Sequence, residues 1–229
     1  VSYPQMAKLA GATPVIVRAG FEQDFKMTAE QLEAAITPKT KMLILCSPSN
    51  PTGSVYSQEE LNALAQVILK HEDIFVLSDE IYEHINYVGK AASIASYPGM
   101  KERTIICNGV SKAYAMTGWR LGWVAAPAWI VKGINKLQGQ YTSGTCDVSQ
   151  KAAVAAYVAS QDCVEQMRVA FERRRDLIVK LAKDIPGLEV NVPQGAFYLF
   201  PKCSSFFGKS DGETVINNST DFAMYILEK

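Results

Sequence analysis

Lys112 has no acidic residue within eight positions on either side and stands between two apolar runs, in T-I-I-C-N-G-V-S-K-A-Y-A-M-T-G-W-R-L-G-W-V at residues 104–124. Burial favours the neutral form of an amine, and the neutral form is the nucleophile. Arg120, eight residues on, adds a permanent cation whose planar donor fork suits a phosphate. An amine that attacks a carbonyl beside a guanidinium that grips a phosphate is equipment for a phosphate-bearing aldehyde. Two other stretches carry isolated polar groups: Asn50 in S-P-S-N-P-T-G at residues 47–53, and Asp79 with Tyr82 in S-D-E-I-Y at residues 78–82. Singly, each has an ordinary explanation. Lys112 reads as a surface lysine in a turn, Asn-Pro-Thr-Gly as turn chemistry, Asp79 as a helix cap, Tyr82 as a core aromatic. Ser111 reads as a turn hydroxyl and Arg120 as a cation–π partner of Trp119. Only their convergence selects the chemical reading.

The elements that must position them follow from periodicity. Pro4 and Gly11 bracket a short helix, and residues 14–17 form a short strand. Thr28 with Gln31 forms a capping box for a helix ending before Thr37-Pro38. Residues 41–46 are an apolar strand. Ser57 and Glu60 cap the next helix, whose Leu61, Leu64, Ala65, Ile68 and Leu69 share one face. Residues 74–77 and 104–107 are buried strands, and a further strand begins at Trp119. Strands alternating with helices predict parallel βαβ units with helices on both faces of a sheet, where ligands gather at the carboxyl ends of the strands. Asn50, Asp79 and Lys112 each lie just past a different strand end. Long helical stretches follow over residues 129–141 and 148–185, the second broken near residues 160–162. Beyond Pro186-Gly187 come short strands at 188–192 and 196–200, a Gly/Ser/Asn-rich loop, and a last helix opened by Ser219 or Thr220. The expected division is a large domain over residues 1–179 and the start of a smaller one over residues 180–229. Tyr114, Trp119 and Trp123 are expected to be packing residues.

Composition excludes several function classes. Lys and Arg number 23 and so do Asp and Glu, so the chain carries no general attraction for nucleic acid or anionic membrane. The basic run Arg173-Arg174-Arg175 is flanked by Glu172 and Asp176, as on a solvated helix face. Five cysteines without a C-x-x-C pair, two of them inside apolar strands, read as small core residues in a reducing compartment. Two histidines without ligand spacing predict no metal site. With no run of transmembrane length and no leader pattern, the expected location is the cytoplasm.

In order and spacing, N-P-T-G at 50–53, D-E-I-Y at 79–82 and N-G-V-S-K followed by A-M-T-G-W-R at 108–120 resemble the motifs of class I aminotransferases of fold type I, and most of all their aspartate aminotransferase branch. The resemblance covers essentially all 229 residues. It implies a three-layer α/β/α large domain with a mostly parallel sheet, part of a smaller α+β domain, and pyridoxal 5'-phosphate as cofactor. Lys112 is then the Schiff-base lysine and the base that moves a proton at the substrate's Cα. Asp79 holds the pyridine nitrogen protonated. Tyr82 and Asn50 hydrogen-bond the ring's phenolic oxygen, and Ser111 and Arg120 hold the phosphate. Substrates would be an amino acid such as aspartate and a 2-oxo acid, and the active unit a homodimer. A C–S β-lyase, a decarboxylase or an aminocyclopropane carboxylate synthase would use the same lysine and aspartate. A non-catalytic sensor domain of aminotransferase type is the reading from another class.

One departure stands out: Gly109 occupies a position where the family often has a phosphate-binding serine. The family's glycine-containing phosphate loop and ring-stacking aromatic are expected before Val1, and its carboxylate-binding arginine after Lys229. The chain therefore reads as a fragment, expected to bind the cofactor weakly and to turn over little alone.

Overall fold

The computed structural model describes residues 2–229. Helix α1 (Ser2–Leu9) leads into α2 (Ala29–Ala35), β1 (Met42–Cys46), α3 (Gln58–Leu69), β2 (Phe75–Asp79), β3 (Thr104–Gly109) and β4 (Gly122–Ala125). Helices α4 (Ala128–Tyr141), α5 (Asp147–Val158), α6 (Asp162–Lys183) and α7 (Ser219–Glu228) follow. The strands form one sheet in the order β1-β2-β3-β4, parallel except for β4, which runs antiparallel to β3.

Both predicted capping boxes form. Thr28 and Gln31 exchange side-chain and backbone bonds at the start of α2, and Ser57 and Glu60 do so at α3. Alternation along each strand then sorts residues to two faces. Leu43, Leu45 and Val76 face α2 and α3, forming a core with Leu32, Leu61, Leu64, Ile68, Ile94 and Met100. Cys46, Asp79 and Cys107 stand in register with one another and point to the opposite face. On that side Phe75 meets Trp129 of α4 edge-on at 5.6 Å, so helices lie on both faces.

Several expectations shift. Residues 14–17 form no strand; Val15 and Ile16 are exposed, and among the described residues no strand lies alongside to pair with them. The strand expected from Trp119 begins at Gly122, because Thr117–Trp119 turn as a 3-10 helix and Arg120 takes a left-handed conformation, φ 51°. Of the strands expected at 188–192 and 196–200, the first keeps one bridge, in which Glu189 and Lys202 exchange backbone hydrogen bonds, and the second forms none, while Gly195 just before it bridges Asn86; such isolated pairs are too little to build a ladder. Asn218, one residue before the expected caps, caps α7 through the amides of Thr220 and Asp221. The break near residue 160 separates α5 from α6.

Candidate active site

Asp79 ends β2, so its carboxylate stands at the carboxyl edge of the sheet while the next side chain turns to the other face. Its Oδ1 accepts the Ile81 amide at 3.2 Å, and its Oδ2 accepts the Tyr3 hydroxyl. Each oxygen keeps a lone pair for a further donor. Burial, reinforced by the nearby charge of Asp79, pushes the Cys46 thiol up to about 11 and the Cys107 thiol upward too. The carboxylate is thus flanked in register by two neutral thiols. Glu80 does a different job. Buried on the α3 side, it accepts hydrogen bonds from Ser78 at 2.9 Å and Ser93 at 2.7 Å, tying the strand end to the following loop.

Tyr82 is buried one turn beyond Asp79. Its hydroxyl lies 2.6 Å from that of Tyr198, and burial, then that contact, raise its pKa. Lys112 follows the end of β3 and is half-buried. Its Nζ sits 5.8 Å from the centre of the Tyr82 ring and 5.7 Å from that of Phe197, two rings packed edge-on at 5.4 Å. This aromatic bed holds an amine without giving it a counter-ion. Three of the expected residues, Asp79, Tyr82 and Lys112, therefore converge.

Asn50 lies on the exposed part of the loop after β1, its backbone amide at the Cys46 thiol. Ser111 and Arg120 are joined through Thr117. The Thr117 hydroxyl donates to the Ser111 carbonyl at 2.9 Å, and the Arg120 guanidinium donates to the Thr117 carbonyl at 3.0 Å. Arg120 is exposed, with donors left over for an anion. At Gly109 a Cβ would lie 2.9 Å from the Gly122 Cα and the Leu121 carbonyl. Close approach of β4 leaves no room for a serine there.

Tyr3, Phe197 and Tyr198 escaped the sequence reading, and Thr117, inside the motif at 115–120, was given no role there. Tyr3 and Tyr198 reach the site from 76 and 116 positions away, and neither segment carries a local signal. Cys46 was legible in principle, since register between parallel strands places it beside Asp79. Trp119 and Trp123 pack less than expected, at 45% and 38% exposure, although Trp123 donates to Tyr157 of α5 and Tyr114 donates to Gln161.

A family description, aminotransferase class I and II, matches residues 1–228. The chain is 49% identical over 234 residues to the bifunctional aspartate aminotransferase and glutamate/aspartate-prephenate aminotransferase of Petunia hybrida, covering all of this chain and 49% of that protein. It is 45% identical over 232 residues to an aspartate/prephenate aminotransferase of Cereibacter sphaeroides, covering 58% of it. The chain thus spans about half the length of the curated relatives it matches. Among solved structures, the aspartate aminotransferase of Rhizobium meliloti superposes with a TM-score of 0.96 at 42% identity, over all of this chain and 58% of that one. An aromatic aminotransferase of Pyrococcus horikoshii superposes with a TM-score of 0.84 at 43% identity, over 88% of this chain and 54% of that one.

Proposed function

The chain belongs to the class I and II aminotransferases, and from that premise we propose that the complete protein is a pyridoxal-phosphate-dependent aminotransferase in which Lys112 is the reacting amine. The observation that carries this reading is the convergence of Asp79, Tyr82 and Lys112 at the carboxyl ends of β2 and β3. The donor set fits the cofactor group by group: a carboxylate for a ring nitrogen, a phenol for a phenolic oxygen, an amine for an aldehyde, and a guanidinium with a hydroxyl for a phosphate. When bound, pyridoxal phosphate supplies an aldehyde that captures amines and a ring that takes up the electron pair released at a substrate carbon.

The chain's own residues do the rest. Asp79, fixed by Tyr3 and the Ile81 amide, presents its remaining lone pairs to an N–H and holds the proton there. Tyr82 offers an O–H to an anionic oxygen, and Asn50 adds an amide from the loop after β1. Ser111 and Arg120, coupled by Thr117, bind the phosphate. Lys112 Nζ, bedded on two rings and free of a local carboxylate, is the nucleophile and the group that takes and returns a proton.

The names of the Petunia hybrida and Cereibacter sphaeroides relatives support aspartate as amino donor and prephenate, itself a 2-oxo acid, as an acceptor. A homodimer and a cytoplasmic location complete the proposal, the second supported by five cysteines that are all free.

The test is an absorbance titration of the complete protein with pyridoxal phosphate, then borohydride reduction and peptide mapping. The expected result is a saturable visible band whose reduced adduct maps to Lys112, with band and turnover lost in Lys112→Ala, turnover by a factor of about 10³ or more. A label spread over many lysines would refute the assignment.

A further inference from the structure

We propose that Tyr198 is a positioning residue for Tyr82: its hydroxyl holds the Tyr82 O–H aimed at the phenolic oxygen of the bound cofactor. The inference rests on the pyridoxal phosphate reading above and extends it to a residue 116 positions away in sequence.

The two hydroxyls lie 2.6 Å apart and the rings meet edge-on at 5.7 Å and 76°. Two hydroxyls in contact share one hydrogen and leave the other free. When an anionic oxygen sits beside Tyr82, the Tyr82 hydrogen turns to it and Tyr198 becomes the donor to the Tyr82 oxygen. A donor at that oxygen polarises the Tyr82 O–H and strengthens the bond it makes. The titratable groups facing Tyr82 are Cys46 from β1, Asp79 from β2, Lys112 from the turn after β3, and Tyr198. Among these, Tyr198 is the hydrogen-bond partner in place.

Tyr198 is held as a positioning residue must be. The Ala196 amide donates to the Ile85 carbonyl at 2.7 Å and the Tyr87 amide to the Gln194 carbonyl at 2.8 Å. The Gly53 carbonyl accepts both the Gln194 and Gly195 amides at 2.9 Å. Gly195 is pressed so close to the loop after β1 that a Cβ would come within 2.7 Å of Pro48 and 2.9 Å of Val55. The segment carrying Tyr198 is latched to the loop that carries Asn50 and to the turn that follows Tyr82.

The experiment is a spectrophotometric pH titration of the cofactor band in the complete, loaded protein and in Tyr198→Phe, Tyr82→Phe and the double variant. A proton shared between the phenolic oxygen and the Lys112 nitrogen is held more firmly when fewer donors compete for the oxygen, so losing a donor raises the midpoint. Tyr198→Phe keeps the band and raises its midpoint by roughly 0.3 pH unit, a fraction of the Tyr82→Phe shift. In the Tyr82→Phe background the second substitution adds no shift. An unchanged midpoint in Tyr198→Phe beside a clear shift in Tyr82→Phe overturns the proposal, as does an undiminished Tyr198→Phe shift in the Tyr82→Phe background. A wild-type protein without a saturable band overturns the cofactor reading and the proposal with it.

Discussion

Helices α3 and α4 are similar in length, 12 and 14 residues, and both are patterned with apolar side chains at helical spacing. Yet α3 buries Leu61, Leu64, Ala65, Val67 and Ile68, while α4 buries none of its residues. The same contrast runs through the strands they flank. Val76 of β2 is wholly buried, whereas all four residues of β4 are exposed. An amphipathic pattern specifies a helix, but burial depends on what lies opposite. The candidate site straddles the border: Asp79 and Tyr82 extend from the packed strand β2, and Lys112 to Arg120 form the turn into β4.

The largest expected effect within this comparison is at Leu64, 1% exposed in the α3 core. Leu64→Ala removes three buried carbons and leaves a cavity, a loss of about 3 kcal/mol in a chain whose whole stability is on the order of 10 kcal/mol. Urea unfolding of the 229-residue chain measures it; a loss below about 1 kcal/mol would mean that the α3 side is as loosely packed as the α4 side.

Cysteine chemistry gives a second handle. Cys46, beside Asp79, is pushed up to about 11, so at pH 8 only about one thiol in a thousand is ionised. Cys146, exposed at the start of α5, is lowered from the ordinary thiol range by the Ser149 and Val148 amides. Since the thiolate is the reactive form, Cys146 should alkylate more than about a hundredfold faster than Cys46. Mass spectrometry of a timed iodoacetamide reaction reads both sites at once. The Cys46 rate should rise about tenfold per pH unit between 8 and 10, as its thiolate fraction does; equal rates at pH 8 would place Cys46 outside a closed site.

Smaller again is the cap. Ser57 opens α3 through its capping box with Glu60, whereas Pro127 begins α4 with no side-chain cap. Ser57→Ala should cost about 1 kcal/mol, read from the same unfolding curves. No measurable cost would show that packing alone fixes the start of α3.

How much of this was legible in the sequence follows the same border. The α3 side was readable because its signals are local: two capping boxes, a helical apolar face and short apolar strands each agree with the structure found. The placement of Asp79, Tyr82 and Lys112 was readable because the sheet puts them at its carboxyl edge. Tyr3 and Tyr198 were not, since a hydroxyl that arrives across the fold leaves no mark at its own position. The 14–17 strand failed because an extended apolar run needs a neighbour, and the described residues bring none to Val15 and Ile16. The course of residues 117–121 turned on Arg120 adopting a left-handed backbone, which its residue type does not announce.

The smallest expected effect bears most directly on the contrast. Leu137 of α4 occupies an apolar position much as Leu64 does in α3, but it is 60% exposed. In the 229-residue chain Leu137→Ala should therefore change stability by less than about 0.5 kcal/mol, since the alanine leaves no cavity and gains slightly in helix propensity. The same substitution in the complete protein asks a different question. A cost there above about 1 kcal/mol would mean that residues outside this chain, or a second subunit, complete the core against α4, because only burial gives three carbons that much weight. A cost that stays near zero in both would make the exposure of α4 a property of the fold itself, and the apolar pattern on it a helix signal without a core behind it.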